Sequence, residues 1–309
     1  MHILVTGGAG FIGSHVVEAL LAREDEVTVA DDLSTGERRN LPASAHFVKV
    51  DIADSGALFE ALGALRFDAV VHAAAEASVV RSISDPAHSE RVNVHGTQNV
   101  LALARYTGAK RFVFFSSGGA IYGDTDVGAR EDDPLRPISP YGRHKIEGEK
   151  LVSAFGLSYA VLRPANVYGP RQRGDIEGGV VAIFLQRWRE SRELVVFGDG
   201  TAVRDYVYVQ DVARAVLRAV DARESGTWNI GTGEPTSVNG VISALGRHLG
   251  EPPAGVRHAP PRAGELQRAC LNPSLAIQDL GWRPQVTFDA GIALCVAQER
   301  VGQRLDRQG

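Results

Sequence analysis

The sequence predicts an α/β fold, a doubly wound parallel sheet with a smaller mixed α/β lobe attached. Three observations predict it: short apolar runs alternate with helical periods over the first two-thirds, a glycine-rich turn follows the first run, and the alternation loosens after about Asn166. Runs nearly continuous in apolar residues are how strands buried on both faces read. Their alternation with helices implies right-handed crossovers and helices on both faces of the sheet.

In order, the strands are "HILVTG" (2–7), "EVTVAD" (26–31), "HFVKVD" (46–51), "DAVVHAA" (68–74), "RFVFFSS" (111–117) and "YAVLRPA" (159–165). Helical periods at 12–23, 55–65, 86–107 and 139–155 connect them. A helix near 178–190 precedes the strand "LVVF" (194–197); "RDYVYVQDVARAVLRAV" reads as a strand then a helix, and "GTWNIGTG" as a short strand. The rest is mixed helices and Pro-rich loops, notably "EPPAGVRHAPPRAGE" (251–265). No composition break marks a linker, so the two parts are expected to interleave. Residues 1–165 with about 203–231 form the larger domain, and about 166–202 with 232–309 the lobe.

Composition excludes several classes. The net charge of −4, without a basic stripe, argues against a nucleic-acid partner. Cys270 and Cys295 have neither metal-ligand spacing nor disulfide density, so buried thiols and no metal are expected. No apolar segment approaches the ~20 residues of a membrane span. The chain opens on "HILVTGG" without a leader-like pattern, which reads as a cytosolic protein.

"TGGAGFIG" (6–13) joins the first strand to the first helix. Gly7, Gly10 and Gly13 supply a tight turn, close approach to a pyrophosphate and close helix–sheet packing. The N–H groups around Phe11 and Ile12 would face the phosphates at the positive helix end. Asp31 ends the second strand at the distance where a carboxylate accepts from both ribose hydroxyls, and it repels a 2′-phosphate, which favours NAD over NADP. Asp32 either shares this role or is solvated. Asp51 and Ile52, ending the third strand, would meet the adenine. Ala73, Ala74 and Ala75 keep side chains small where a cofactor crosses the strand ends; close helix–sheet packing explains them equally.

"SPYGRHK" (139–145) puts Tyr141 and Lys145 on one helix face, with Ser139 as cap and Pro140 in the first turn. With "TGGAGFIG", "ADDLSTG", "HAAA", "NVHGT", "SSGGAIYG", "LRPANVYGPRQ", "FGDGTAVRDYVYVQD", "NIGTG" and "PRAGE" before "LGW", the chain resembles the extended short-chain dehydrogenases/reductases. Within them it is most similar to the NAD-dependent nucleotide-sugar epimerases and dehydratases. The resemblance covers nearly the whole chain and implies a Rossmann-type domain. It implies that Asn93, Ser116, Tyr141, Lys145 and Pro164 line the nicotinamide half of NAD. Asn166, Val180, Phe197, Arg204, Arg262 and Glu265 would surround a nucleoside diphosphate sugar. Glu265 stands where relatives more often carry Asp. Arginine suits a diphosphate because its fork donates bidentately.

"SSGGAIYG" (116–123) bears on the reaction. The dehydratases place an Asp-Glu pair where this chain has Gly119 and Ala120, and elimination of water needs an acid within reach of the leaving oxygen. What remains is hydride and proton transfer at C4, hence C4 epimerisation. Tyr141 would take the O4 proton as a phenolate. Free tyrosine, with a pKa of ~10, is a poor base at neutral pH; Lys145 and the positive nicotinamide are expected to lower that value. Galactose-type epimerases carry Ser or Thr at the place of Gly118. Ser117, the nearest hydroxyl, is the expected proton relay: one step along a strand reverses a side chain, but a bend at the two glycines would restore it; otherwise Tyr141 works alone with a substrate hydroxyl or water.

The sugar stays open between UDP-glucose or UDP-galactose and the uronates UDP-glucuronate or UDP-galacturonate. Ser78, in "EASVVRS", and Arg192, in "RESRELVVF", lie in segments that flank the sugar in relatives. Arg192 either meets a uronate carboxylate or is solvated. Relatives pair through helices corresponding to 86–107 and 139–155, which implies a homodimer. The same motifs also admit another NAD-dependent oxidoreductase or dehydratase of this fold, and a non-catalytic NAD-binding regulator.

Overall fold

Side chains of the first strand, β1 (His2–Thr6), divide by parity: Ile3 and Val5 enter one hydrophobic layer and Leu4 the other. The same division recurs in β4 (Ala69–His72), β5 (Arg111–Phe115) and β6 (Ser158–Pro164). This is why those runs read as unbroken apolar stretches. The structure is a computed structural model; it describes residues 1–306 except 126, 176–178, 251–252 and 262–265, with backbone alone for 299–306.

Together with β2 (Glu26–Asp31), β3 (His46–Lys49) and β10 (Gly226–Ile230), these strands make a seven-stranded parallel sheet, in the order β10-β6-β5-β4-β1-β2-β3. Helices Phe11–Ala22 and Val209–Asp221 cover one face; Ser55–Leu62, Gly96–Thr107 and Pro140–Ala154 cover the other. The strand order reverses between β1 and β4, and ligands of such sheets bind outside the carboxyl ends at that point.

The remaining strands are β7 (Asn166–Tyr168), β8 (Leu194–Phe197), β9 (Val203–Tyr208), β11 (Pro235–Ser237), β12 (Val256–Ala259) and β13 (Arg268–Ala269). β9 pairs with β7, β11 and β13, while β8 pairs with β12. Segment 203–231, expected to stay with the larger domain, is therefore divided. β9 joins the second sheet because Tyr206 and Tyr208 pack with Tyr168 and Phe288, whereas Val207 points into the first core.

Two further expectations change. The Pro-rich stretch 251–265 contains a strand, β12, held parallel to β8. The helix expected over 86–107 is three pieces, Pro86–Glu90, a wide π turn at Arg91–His95, and Gly96–Thr107. Such wide turns are frequent at functional sites, and this one carries Asn93.

Candidate active site

A cleft of about 1030 Å³ opens at the carboxyl ends of β1, β2, β4, β5 and β6 and runs on to β8 and β9. Gly7 has φ +69°, and a Cβ there would lie 2.5 Å from the Ala74 nitrogen. A Cβ on Gly13 would lie 2.1 Å from the Gly7 carbonyl oxygen. Glycine is thus required at both positions. Gly10 caps the first helix without a side chain, which leaves its first-turn N–H groups to an anion in the cleft. Asp31 accepts from the Ala9 N–H at 2.9 Å and the Leu33 N–H at 2.8 Å. A carboxylate has about four acceptor sites, so each oxygen keeps a lone pair for a ribose hydroxyl. Burial raises the Asp31 carboxyl above the ordinary range, against the pull of those two amides.

Asp32 is exposed and turned to Ser34, whose hydroxyl donates to it at 2.6 Å. Asp51 accepts from Ala53 and pairs with Arg91 at 2.9 Å; those bonds outweigh burial and hold its carboxyl low. Both acids line the cleft, as do Phe11, Ile12, Ile52, Ala73, Ala74, Ala75 and Pro164. The hydroxyl of Ser116 is buried there without a hydrogen-bond partner, an acceptor and donor aimed at a ligand. Glycines, Asp31 and Ser116 together fit NAD.

β5 ends at Phe115, and a short helix, Gly118–Ile121, begins three residues later with Ser117 as its N-cap. This bend removes the strand parity that counted against Ser117, whose side chain lines the cleft and makes no capping bond. At Gly118 a Cβ would lie 2.5 Å from Leu271 Cδ1 and 3.0 Å from the Arg163 carbonyl oxygen, so that direction is closed to a hydroxyl. Gly119 faces Asn166 at an ordinary 3.6 Å.

Ser139 caps helix Pro140–Ala154, accepting from Gly142 N at 3.1 Å, and the Ser82 hydroxyl accepts from Tyr141 N at 3.2 Å. Lys145 is 4% exposed and donates to the Phe115 carbonyl at 2.8 Å. Its Nζ lies 5.8 Å from the Tyr141 ring centre. Burial pushes the Lys145 ammonium down to about 8 against the pull of Glu149. Beneath it, burial and the Lys145 charge push His72 down to about 3, leaving a neutral bridge between Thr6 and Thr97.

The protein's own groups alone hold the Tyr141 phenol high. Burial raises it above its ordinary value; the neighbouring Ser117 hydroxyl pulls it down, and the Glu76 charge adds to the rise. Lys145 directs its ammonium at Phe115 and does not bring the phenol down on its own.

Two residues expected at the ligand are engaged by neighbouring backbone. Asn93 is buried, accepts from Glu76 N at 2.9 Å and donates to Glu76 O at 3.0 Å, so it clamps the wall rather than lining it. Ser78 stands between Ala77 and Val79, which line the cleft, and caps helix Val79–Ser84 by accepting from Arg81 N at 3.1 Å, keeping its O–H free to donate. In their place the cleft is lined by Glu76 and Val79. Glu76 stands one residue beyond the alanines, but nothing local in "HAAAEAS" marks it, because its clamp comes from Asn93.

The outer end of the cleft holds Asn166, Val180, Phe197, Arg204 and Arg192. The Arg192 guanidinium is 57% exposed and pairs with Glu190 at 3.0 Å. Arg257, missed inside the Pro-rich stretch, lines this end from β12 and pairs with Glu193 at 3.0 Å. Arg262 and Glu265 lie outside the described residues. The chain that follows them is anchored twice: Asp124 Oδ1 accepts from Gln267 N at 2.6 Å and Arg268 N at 2.8 Å, and β13 pairs with β9 at Arg204. Leu271, further along, fills the space under Gly118.

A family model described as the NAD dependent epimerase/dehydratase family matches residues 3–231. Over 307 residues the chain is 41% identical to the UDP-glucose 4-epimerase of Mycolicibacterium smegmatis, covering 96% of this chain and 97% of that one. The UDP-glucose 4-epimerase of Thermotoga maritima, solved with UDP-glucose, superposes with a TM-score of 0.92 at 42% identity, covering 98% of this chain and 100% of that one. That of Thermus thermophilus, solved with NAD, gives 0.92 at 44% identity, covering 97% and 99%.

Proposed function

The chain belongs to the NAD-dependent epimerase/dehydratase family, and from that membership we propose that it inverts C4 of a UDP-hexose, interconverting UDP-glucose and UDP-galactose. The observation that carries this reading is the convergence of Ser117, Tyr141 and Lys145 on one cleft in which Gly119 and Ala120 offer no acid.

Gly7, Gly10, Gly13, Asp31 and Ser116 would hold NAD, which supplies the place where hydride from C4 rests between its removal and its return. Tyr141 takes the O4 proton, and Ser117 relays it between phenol and sugar oxygen. Lys145, fixed by the Phe115 carbonyl, keeps a positive charge beside the ring and favours the phenolate once the cofactor's charge joins it. The 4-keto sugar turns and recovers hydrogen on its other face, while Arg204 and Asn166 retain the diphosphate end. Holding the reacting carbons within ~3–3.5 Å supplies much of the acceleration. Dehydration is disfavoured because Gly119 and Ala120 carry no acid for the leaving oxygen, and Glu76 is held as an ion pair with Arg81.

In this reading the enzyme works in the cytosol as a homodimer. Its two unpaired buried thiols suit a reducing compartment, and sedimentation checks the dimer. Incubation with UDP-galactose, followed by NMR, is expected to give UDP-glucose without stoichiometric NADH and with a C4 deuterium retained. Release of NADH, or wash-out of the label, rejects hydride storage.

A further inference from the structure

One carboxylate is fixed in the cleft wall beside Tyr141. We infer that Glu76 is a specificity-determining residue that admits neutral hexoses and turns away hexuronates. The inference rests on the C4-epimerase reading above and deepens it.

Glu76 follows the three alanines that end β4 and lines the cleft. Its backbone is held on both sides by the Asn93 side chain, which the wide turn at Arg91–His95 brings there. Its side chain is held as well: Oε1 accepts from Ser78 N at 2.9 Å and Oε2 from Arg81 Nη1 at 3.2 Å, with His88 Nε2 3.8 Å away. A carboxylate restrained in this way cannot swing away from a ligand.

The charges are arranged asymmetrically. The Glu76 side chain is 7% exposed, whereas its partner Arg81 is 52% exposed. Arg81 and His88 line the cleft as well, but the guanidinium is screened by water while the carboxylate acts through protein. The Tyr141 phenol registers this arrangement: after burial, the Glu76 charge is what raises it. Lys145, with its Nζ 5.8 Å from the Tyr141 ring centre, is turned to the Phe115 carbonyl.

C4 of the sugar must sit against Tyr141 to lose its O4 proton. In a hexuronate the carboxylate is C6, two bonds from C4. Turning the ring over exchanges the C3 and C5 sides of C4, so a full turnover carries C6 to both sides of the site and past the wall that bears Glu76. A CH₂OH group at the same place carries no charge and can donate to Glu76.

The test is the ratio of kcat/KM for UDP-glucuronate to that for UDP-glucose, in NAD-loaded wild-type, Glu76→Gln and Arg81→Met proteins. Wild type is expected to favour the neutral sugar strongly. Glu76→Gln should raise the ratio by about tenfold or more, the scale of one close like-charge contact. Arg81→Met, which bares the carboxylate, should lower it further; if Glu76→Gln fails to fold, that decrease carries the test. A ratio unmoved by either substitution, or a wild type that prefers the uronate, overturns the inference. If NAD-loaded wild type epimerises neither sugar, the epimerase reading fails instead. The same ratio, read as Kd by calorimetry, then decides the role of Glu76 by itself.

Discussion

At the inner end of the cleft Tyr141 is half-buried, Lys145 and Ser116 are enclosed by protein with His72 behind them, and burial is the largest influence on each titrating group among them. At the outer end, Arg192 and Arg257 are more than half exposed and spend their charge on Glu190 and Glu193. A buried charge feels its neighbours in a medium of low dielectric, while an exposed pair contributes ~0–1 kcal/mol. Burial thus governs proton affinities at the inner end, whereas the outer end holds its two cations in solvent-exposed pairs.

The contrast breaks if inner substitutions are mild. Tyr141→Phe is expected to lower kcat by about 10²–10⁴-fold, the usual worth of a general acid–base group, with NAD still bound. Undiminished turnover would remove the proton-transfer role. Gly118→Ser, which drives a side chain into Leu271, should destabilise by ~1–3 kcal/mol in denaturant melts. Gly119→Ala, with ordinary clearance in a short helix, should be neutral or stabilise by up to ~1 kcal/mol. Equal effects at the two glycines would contradict the geometry around Ser117.

A pH experiment sharpens the comparison. In the cofactor-free protein the phenol is raised, so it holds its proton; the positive nicotinamide should lower it, and binding then releases protons. Release on binding means affinity increases with pH. NAD affinity of depleted protein should therefore rise between pH 7 and 9.5, by at most about tenfold per unit for each proton released. Tyr141→Phe should reduce the slope, and an affinity flat across that range would defeat the linkage. Smallest of all, Arg192→Ala should change kcat/KM less than about twofold on hexose and uronate alike, as expected of an exposed pair. A loss confined to the uronate would restore Arg192 as its carboxylate partner.

The parts that sequence made legible are those whose geometry is local. Spacing four apart places Tyr141 and Lys145 on one helix, and glycines inside one turn declare their own steric need. Strand parity along β1, β4 and β5 leaves a continuous apolar trace. Ser117 lay at the edge of this reach, because its direction depends on where β5 stops. Asn93 and Glu76 lay beyond it: seventeen positions separate them, and only the wide turn brings the amide onto the Glu76 backbone. Arg257 was hidden because prolines around β12 read as loop, although they only bracket a strand of four residues. Arg81 was likewise invisible, since its worth comes from being more exposed than the acid it holds.

The stretch Gln267–Asn272 is anchored to Asp124 on one side and to the Arg204-bearing strand on the other, with Leu271 seated beneath Gly118. The two halves of the chain are therefore not exchangeable cassettes. A graft that imports another protein's sugar-holding lobe must also import a matching floor for residues 116–129, or the donor's leucine and the host's glycine will meet as strangers.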